Sequence, residues 1–128
     1  MAYNVLIVDD SQTMRKVILK SLTLSGFDLG DCLEAENGRE ALTVLDSCWV
    51  DLILTDLNMP VMSGWELVHH LKDNPTHAKI PVVLITTEGS ETRLRELFDL
   101  GVKDYIKKPF HPETLRDVLT RILEKSYV

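Results

Sequence analysis

The sequence predicts a doubly wound α/β sandwich made of five βα units around a parallel sheet. Two observations carry this prediction: short apolar runs rich in β-branched residues recur at near-regular intervals, and segments with helical periodicity separate them. Apolar runs without polar alternation are typical of strands that are covered on both faces, as in parallel sheets. Parallel strands require crossover connections, which helices supply, so the strict alternation favours this fold class.

Five short apolar runs are the predicted strands, and the second is the weakest of them. They lie at residues 5–8, 33–35, 52–54, 82–85 and 105–106. Because no run reaches the length of a typical helix, each is better explained as a buried strand than as a buried helical segment.

A helix is predicted after each strand. The first has apolar side chains at positions i, i+3, i+4 and i+8, which are Met14, Val17, Ile18 and Leu22. The other four are predicted from apolar residues within 41–45, 65–71, 94–98 and 115–123. Pro112 in the first turn of the fifth helix and Gly101 after the fourth are typical start and stop signals.

A single domain spanning residues 1–128 is predicted, because this length suits one hydrophobic core and no linker or repeat divides the chain. The chain has 20 acidic and 14 basic side chains, and its net charge of −6 argues against nucleic acid or an anionic membrane as the main partner. No apolar stretch approaches the roughly 20 residues of a membrane span, and no signal peptide is visible. The two cysteines form neither a C-x-x-C pair nor a disulfide framework, so we expect a cytoplasmic protein.

Polar side chains follow four of the five predicted strands. They are Asp9 and Asp10 after the first strand, Asp56 after the third, Thr86 and Thr87 after the fourth, and Lys107 and Lys108 after the fifth. In an open parallel sheet, function gathers outside the carboxyl ends of the strands at the topological switch point. The four strands must be neighbours for these side chains to meet, which the strand order 2-1-3-4-5 allows.

The three aspartates predict a metal site. Carboxylates placed close together repel one another, and they stay ionised together only if a cation shares the site. Oxygen ligands without histidine or cysteine among them point to Mg²⁺. A carboxylate beside Mg²⁺ that faces a lysine and a hydroxyl is equipped for phosphoryl transfer. Asp56, alone on the central strand, is the predicted nucleophile, while Asp9 and Asp10 position the metal.

Each of these residues also has a simpler interpretation. An aspartate pair before a helix is often an N-cap, a lone aspartate at a strand end is often a turn residue, and a lysine pair before proline can be a solvated edge. Their convergence on one edge of one sheet favours a functional site over these separate interpretations.

The motifs resemble those of a known family. They are Asp9-Asp10, the run 55–60 with Gly64 after it, Thr86, and Lys108-Pro109-Phe110. Together they resemble the receiver domain of bacterial two-component response regulators, and above all stand-alone chemotaxis receivers of the CheY type. The resemblance covers essentially the whole chain. It implies a flavodoxin-like (βα)5 fold, with one receiver domain over residues 1–128 and no output domain.

The resemblance implies a role for each residue at the acidic edge. Asp56 accepts a phosphoryl group from a phosphohistidine on a sensor histidine kinase and becomes an acyl phosphate. Mg²⁺ is held by Asp10, Asp56 and the backbone carbonyl of Asn58, with Asp9 acting through water. Lys108 pairs with the phosphoryl oxygens.

The resemblance also implies a switch made of Thr86 and Tyr105. The Thr86 hydroxyl moves toward the phosphoryl group, and the Tyr105 ring then turns inward. This changes the face formed by the fourth helix, the fifth strand and the fifth helix, where a downstream protein target binds. A cis peptide bond between Lys108 and Pro109 is a further implication.

Thr87 departs from the family pattern, which has a small residue at this position. Its β-branched side chain is stiff at χ1, so we predict that it gates the approach to Asp56; the alternative is a loop residue that points away. Glu88, together with Asn58, either tunes hydrolysis of the acyl phosphate or is a solvated loop charge.

The predicted function is a phosphorylation-activated signalling switch, in chemotaxis, that acts as a monomer through protein–protein interaction. One alternative is a phosphorelay intermediate that passes its phosphoryl group to a histidine phosphotransfer protein. A second is a small phosphatase with an aspartyl nucleophile. That enzyme class places an Asp-x-Asp motif at the end of its first strand, whereas the residue two positions after Asp56 is Asn58, which cannot donate a proton.

The remaining histidine, tryptophan and cysteine residues are expected to be structural. We expect the histidines at the surface because they share no metal-ligand spacing, the tryptophans in packing contacts, and the cysteines as buried or partly buried free thiols. The residues concerned are His69, His70, His77, His111, Trp49, Trp65, Cys32 and Cys48.

Overall fold

Strands and helices alternate along the chain in the computed structural model, which describes residues 2–87 and 91–126. The strands are β1 (Tyr3–Val8), β2 (Leu29–Ala35), β3 (Leu52–Thr55), β4 (Val82–Thr86) and β5 (Asp104–Lys107). The helices are α1 (Gln12–Leu24), α2 (Gly38–Ser47), α3 (Gly64–Asp73), α4 (Glu91–Asp99) and α5 (Pro112–Ser126). Each predicted segment therefore forms the predicted kind of element.

The five strands form one parallel sheet in the order β2-β1-β3-β4-β5. This confirms both the predicted fold class and the predicted strand order. The order places β1, β3 and β4 in the interior of the sheet, where both faces are covered. The strands β3 and β4 are buried at every position, which is why they read as continuous apolar runs.

The second strand begins at Leu29, four residues earlier than the sequence predicts. It lies at the edge of the sheet and pairs with β1, with Tyr3 opposite Leu29. Gly30 and Asp31 are poor strand residues, but they are exposed here, and hydrogen bonding to β1 stabilises the extended backbone. Tertiary pairing therefore overrides the weak local preference.

Two apolar clusters hold the helices on the sheet, one on each face. Even-numbered residues of β1 pack with α2, α3 and α4, whereas odd-numbered residues of β1 pack with α1 and α5. The alternation follows from the period of two along a strand. In the part of the chain that the structure describes, no helix is long and apolar enough to cross a membrane.

The helices next to the acidic edge begin with polar N-cap residues. Ser11 accepts a hydrogen bond from the Met14 N–H at the start of α1, and Ser63 forms a capping box with Glu66 at the start of α3. A cap of this kind contributes about 1 kcal/mol. The predicted stop at Gly101 has a φ of 104°, a left-handed conformation that glycine adopts without steric cost.

Three of the expectations for side chains outside the acidic edge are wrong. Trp49 is 71% exposed and is not a packing anchor, because its indole N–H instead donates to Asp51. His77 is buried rather than at the surface, and Cys48 is exposed. Cys32 is half-buried as expected, and burial, followed by the nearby charge of Glu34, raises the pKa of its thiol to about 11.

Candidate functional site

The carboxyl ends of β1 and β3 lie side by side at the centre of the sheet. Val8 pairs with Thr55 in the parallel register, and the Asp56 N–H donates to the Val8 carbonyl at 2.9 Å. The residues that follow the two strands, Asp9 and Asp56, are therefore brought to the same edge. Only sheet formation brings them together, because they are far apart in the sequence.

Asp9, Asp10 and Asp56 form an acidic cluster in which one carboxylate oxygen of each lies within 4.8 Å of the others. The Asp9 side chain is 3% exposed and that of Asp56 is 13% exposed, while Asp10 faces solvent. Negative charges this close repel one another, and burial strengthens the repulsion because water screens it less. The cluster therefore requires a compensating positive charge.

Lys108 supplies part of that charge. Its ammonium group donates to Asp9 Oδ2 at 2.8 Å and to Asp56 Oδ2 at 3.0 Å. Burial by itself lowers the pKa of Lys108, but the hydrogen bonds to the two carboxylates outweigh it, and the pKa lies above its ordinary value. The ammonium is thus charged at neutral pH.

The Lys108–Pro109 peptide bond is cis, as predicted. The preceding residue, Lys107, is exposed on β5.

Main-chain N–H groups orient the two inner carboxylates. Asp9 Oδ1 accepts from the Ser11 N–H at 2.9 Å, and Asp56 Oδ1 accepts from the Leu57 N–H at 2.7 Å. Each carboxylate therefore uses one oxygen for the backbone and the other for Lys108. Ser11 is the N-cap of α1, so the interpretation of Asp9-Asp10 as an N-cap does not hold.

Helix α3 begins directly against the peptide that carries the third aspartate. The Gly64 N–H donates to the Leu57 carbonyl at 2.9 Å. A Cβ at Gly64 would overlap the carbonyl oxygen of Asp56 and would lie 3.0 Å from the Leu57 Cα. Glycine at this motif position therefore allows the helix to approach the backbone of Asp56 closely.

Arg15 supports the site, a role that was not predicted from the sequence. Its side chain is buried, with Nη1 donating to the Asp9 carbonyl at 2.7 Å and Nε donating to Glu34 at 2.9 Å. Together with the Asp9 N–H···Ala35 hydrogen bond, these contacts hold the backbone of Asp9 in place. An arginine among the apolar positions of an otherwise amphipathic helix was the available signal, because a buried guanidinium needs partners.

The loop between β3 and α3 contains a backbone conformation that the sequence does not signal. Val61 has a φ of 68°, which is unusual for a β-branched residue, and the Met62 N–H donates to the Pro60 carbonyl at 2.8 Å. This tight turn leaves Val61 74% exposed and places Met62 in the core.

The structure places the two residues of the predicted switch on neighbouring strands. Thr86 is fully buried at the end of β4, and its carbonyl accepts from the Lys108 N–H at 3.0 Å. Tyr105 on β5 is half-buried and packs against the apolar cluster between the sheet and the helices α2, α3 and α4.

The predicted gating residues lie next to the acidic edge or outside the described part of the chain. Thr87 is exposed and directly follows β4, and Asn58 is exposed two residues after Asp56. Glu88 lies outside the described residues.

Comparison with known proteins decides the family. A profile described as "Response regulator receiver domain" matches residues 5–120, which is nearly the whole chain. The chain belongs to the response regulator receiver domain family. The family resemblance noted in the sequence is thereby confirmed.

The relatives of this receiver domain include chemotaxis proteins. It is 40% identical over 119 residues to the chemotaxis protein CheY1 of Helicobacter pylori, which covers 92% of this chain and 94% of the relative. The solved structure of the chemotaxis response regulator CheY4 of Vibrio cholerae superimposes with a TM-score of 0.83 at 34% identity, covering 95% of this chain and 99% of that one. The Mn²⁺-bound response regulator Rcp1 superimposes with a TM-score of 0.82 at 27% identity, covering 95% of each chain.

Proposed function

We propose that this receiver domain is a phosphorylation-activated signalling switch in which Asp56 accepts the phosphoryl group. The observation that carries the proposal is the contact of Lys108 with both Asp9 and Asp56 inside a cluster of three carboxylates. These groups can serve as a nucleophile, as ligands for a divalent cation and as a counter-charge for phosphoryl oxygens, which are the parts that phosphoryl transfer needs.

Mg²⁺ is the proposed cofactor, because the donor set fits a hard divalent cation. Three carboxylates and one ammonium leave two net negative charges, which a divalent ion neutralises. All the candidate ligands are oxygens, from Asp10, Asp56 and the Asn58 carbonyl directly and from Asp9 through water. Rcp1 has been solved with Mn²⁺, an ion that shares the preference for oxygen ligands. When bound, such an ion neutralises charge that develops on the phosphoryl oxygens.

The proposed chemistry begins with attack of the Asp56 carboxylate on the phosphorus of a phosphohistidine in a sensor histidine kinase. A P–O bond forms as the P–N bond breaks, and the imidazole nitrogen keeps the electron pair and takes up a proton. The Leu57 N–H orients the Asp56 carboxylate before the donor arrives. Lys108 then exchanges its contact with Asp56 for the new phosphoryl oxygens and keeps its contact with Asp9.

The proposed output is made through another protein. The added phosphoryl group draws the Thr86 hydroxyl, the Tyr105 ring turns inward, and the face of α4, β5 and α5 changes for a downstream target. Because the chain is similar to chemotaxis proteins, chemotaxis is the proposed pathway. We propose that the protein acts in the cytoplasm as a monomer. Its net charge of −6 argues against nucleic acid or an anionic membrane as a partner.

Incubation with acetyl phosphate and Mg²⁺ tests the proposed function. A switch should take up one phosphoryl group per chain and then reach a plateau, because the acyl phosphate is the product that carries the signal. Intact-protein mass spectrometry measures the label, and a colorimetric assay measures released inorganic phosphate. Sustained release of phosphate over many turnovers would contradict the switch and favour the phosphatase.

Replacing Thr86 by alanine should separate phosphorylation from the conformational response. We expect Asp56 to be labelled normally, because the Thr86 hydroxyl is neither nucleophile nor proposed metal ligand. We expect the Tyr105 ring to respond less to activation, because without the Thr86 hydroxyl the space open to the ring no longer depends on the phosphoryl group. NMR of fluorotyrosine-labelled protein, with and without beryllofluoride, measures the ring response, and Thr86→Ser, which retains the hydroxyl, is the matched control. An equal ring response in Thr86→Ala and wild type would show that the two-residue switch is wrong.

Replacing Thr87 by alanine should speed both phosphorylation by acetyl phosphate and loss of the acyl phosphate. The stiff side chain beside the site would narrow the approach for donor and hydrolytic water alike. Mg²⁺ affinity should not change, since Thr87 contributes no ligand. Stopped-flow kinetics measure both rates. The control is Thr87→Val, which keeps the branch at Cβ and removes the hydroxyl, and it should behave as wild type does. Equal rates in Thr87→Ala and wild type would mean that Thr87 does not gate the site.

A further inference from the structure

Asp9 is held through its main chain as well as through its side chain. Its N–H donates to the Ala35 carbonyl at 3.1 Å, and its carbonyl accepts from Arg15 Nη1 at 2.7 Å. Its carboxylate accepts from the Ser11 N–H and from Lys108. Because an aspartate side chain is short, the position of its carboxylate depends closely on the position of its main chain.

The Asp9 carbonyl lies where the ladder between β1 and β2 runs out. In a parallel ladder, a residue that donates to Ala35 would accept from the N–H two positions further along β2. That residue is Asn37, the N-cap of α2, and β2 has already ended at Ala35. Asp9 is only 2% exposed, so a buried carbonyl here needs a protein donor. Arg15 supplies that donor.

The position of Arg15 is costly for a cation. It is the fourth residue of α1, near the positive end of the helix dipole, and it is 7% exposed. The carboxylate of Glu34 accepts from its Nε at 2.9 Å, but the Glu34 side chain is 42% exposed, so the ion pair offsets little of this cost. The stability of α1 therefore gives no reason for a guanidinium at this position, whereas the placement of Asp9 does.

A guanidinium can make both contacts of Arg15 at once. Its N–H groups lie in one plane and point in fixed directions, so Nη1 bonds the Asp9 carbonyl while Nε bonds Glu34. The single nitrogen of a lysine cannot place two donors in this way. Glu34 on β2 thus orients the guanidinium, and the guanidinium fixes the main chain of Asp9.

We propose that Arg15 is a positioning residue for the divalent cation, which it affects by fixing the main chain that carries the carboxylates of Asp9 and Asp10. This inference rests on the proposed function, in which these carboxylates hold Mg²⁺. Removal of a group that orients a metal ligand typically weakens metal binding by about 10–100-fold. The charge of Arg15 by itself would repel Mg²⁺, so the sign of the effect separates positioning from simple electrostatics.

Titration of the protein with Mg²⁺, followed by ¹H–¹⁵N NMR, tests the proposal. Arg15→Lys keeps the charge and loses the two-point contact, whereas Arg15→Met loses both. We expect each variant to bind Mg²⁺ at least about tenfold more weakly than wild type. Lys16→Met removes an exposed charge from the same helix and is the matched control; it should bind as wild type does, because salt screens an exposed charge.

Two variants of Glu34 test the support of Arg15 and keep the experiment valid if a variant of the buried Arg15 does not fold. Both remove the same charge, but Glu34→Gln keeps an oxygen that accepts from Arg15 Nε, and Glu34→Ala does not. We expect Glu34→Ala to bind Mg²⁺ about threefold more weakly than Glu34→Gln, as loss of one modest hydrogen bond predicts. Equal affinities in the two variants would overturn the role given to Glu34.

Urea denaturation in the absence of Mg²⁺ separates positioning from a purely structural role. A structural role would lower the free energy of unfolding and leave the Mg²⁺ affinity of the folded protein unchanged. Equal affinity in Arg15→Lys and wild type, or tighter binding by Arg15→Met, would therefore overturn this inference and leave the proposed function intact. Absence of saturable Mg²⁺ binding by the wild type would overturn the proposed cofactor, and this inference with it.

Discussion

Replacing Asp56 by asparagine is expected to abolish labelling of the protein by acetyl phosphate. The amide keeps the shape of the side chain and an oxygen that can accept from the Leu57 N–H, but it cannot form an acyl phosphate. EDTA should abolish labelling of the wild type, because the carboxylates then lack the divalent ion that neutralises them. Intact-protein mass spectrometry measures the label, and circular dichroism checks that the variant is folded.

The matched control for this variant is Asp46→Asn. Asp46 is exposed on α2, so its replacement removes a carboxylate of the same kind without touching the acidic cluster. It should be labelled as wild type is. Acyl phosphates are cleaved by hydroxylamine, whereas phosphoserine and phosphothreonine resist it. Full labelling of Asp56→Asn that resists hydroxylamine would place the phosphoryl group on another residue and would overturn the assignment.

Replacing Gly64 by alanine is expected to destabilise the protein by about 3 kcal/mol, at the upper end of the usual cost of overpacking. The added methyl group would overlap the Asp56 carbonyl, and both contacting groups belong to the backbone, so neither can rotate away. Separation of α3 from β3 also moves the Asp56 carboxylate, so labelling by acetyl phosphate should fall as well. Urea denaturation followed by circular dichroism measures the free energy of unfolding.

Gly38 provides a control in the same structural position. It is the first residue of α2, as Gly64 is of α3, and each follows a capping residue. A Cβ at Gly38 would lie 2.7 Å from Met62 Cγ, which belongs to a flexible side chain that can shift. We therefore expect Gly38→Ala to cost no more than about 1 kcal/mol, since improved helix propensity offsets part of the strain. Equal losses in the two variants would contradict the explanation from the close approach at Asp56.

The sequence was sufficient to predict which residues meet at the acidic edge. Asp9, Asp56 and Lys108 each follow a strand, and parallel strands bring their carboxyl ends to one edge whatever the details of packing. The structure brings these side chains into contact, with Asp10 in the same cluster. The catalytic and metal-binding roles given to them stay predictions.

Side chains outside the strands were harder to place from the sequence. Trp49, expected in a packing contact, lies at the surface, where its indole N–H donates to Asp51. His77, expected at the surface, is buried because the turn after α3 folds back, with its N–H bonded to Asn74. Loop geometry depends on individual hydrogen bonds that leave no periodic pattern in the sequence.

The sequence by itself determined the five βα units, the parallel sheet and the family. Hydrophobic periodicity and the residues at strand ends are local properties of the sequence, and they have the same structural meaning in every chain with this fold. Only the tertiary structure decided that Arg15 secures the backbone of Asp9 and that Gly64 lets α3 approach Asp56. These features depend on contacts between segments distant in the chain. Close packing fixes such contacts at the scale of single atoms, which a pattern of residue types does not record.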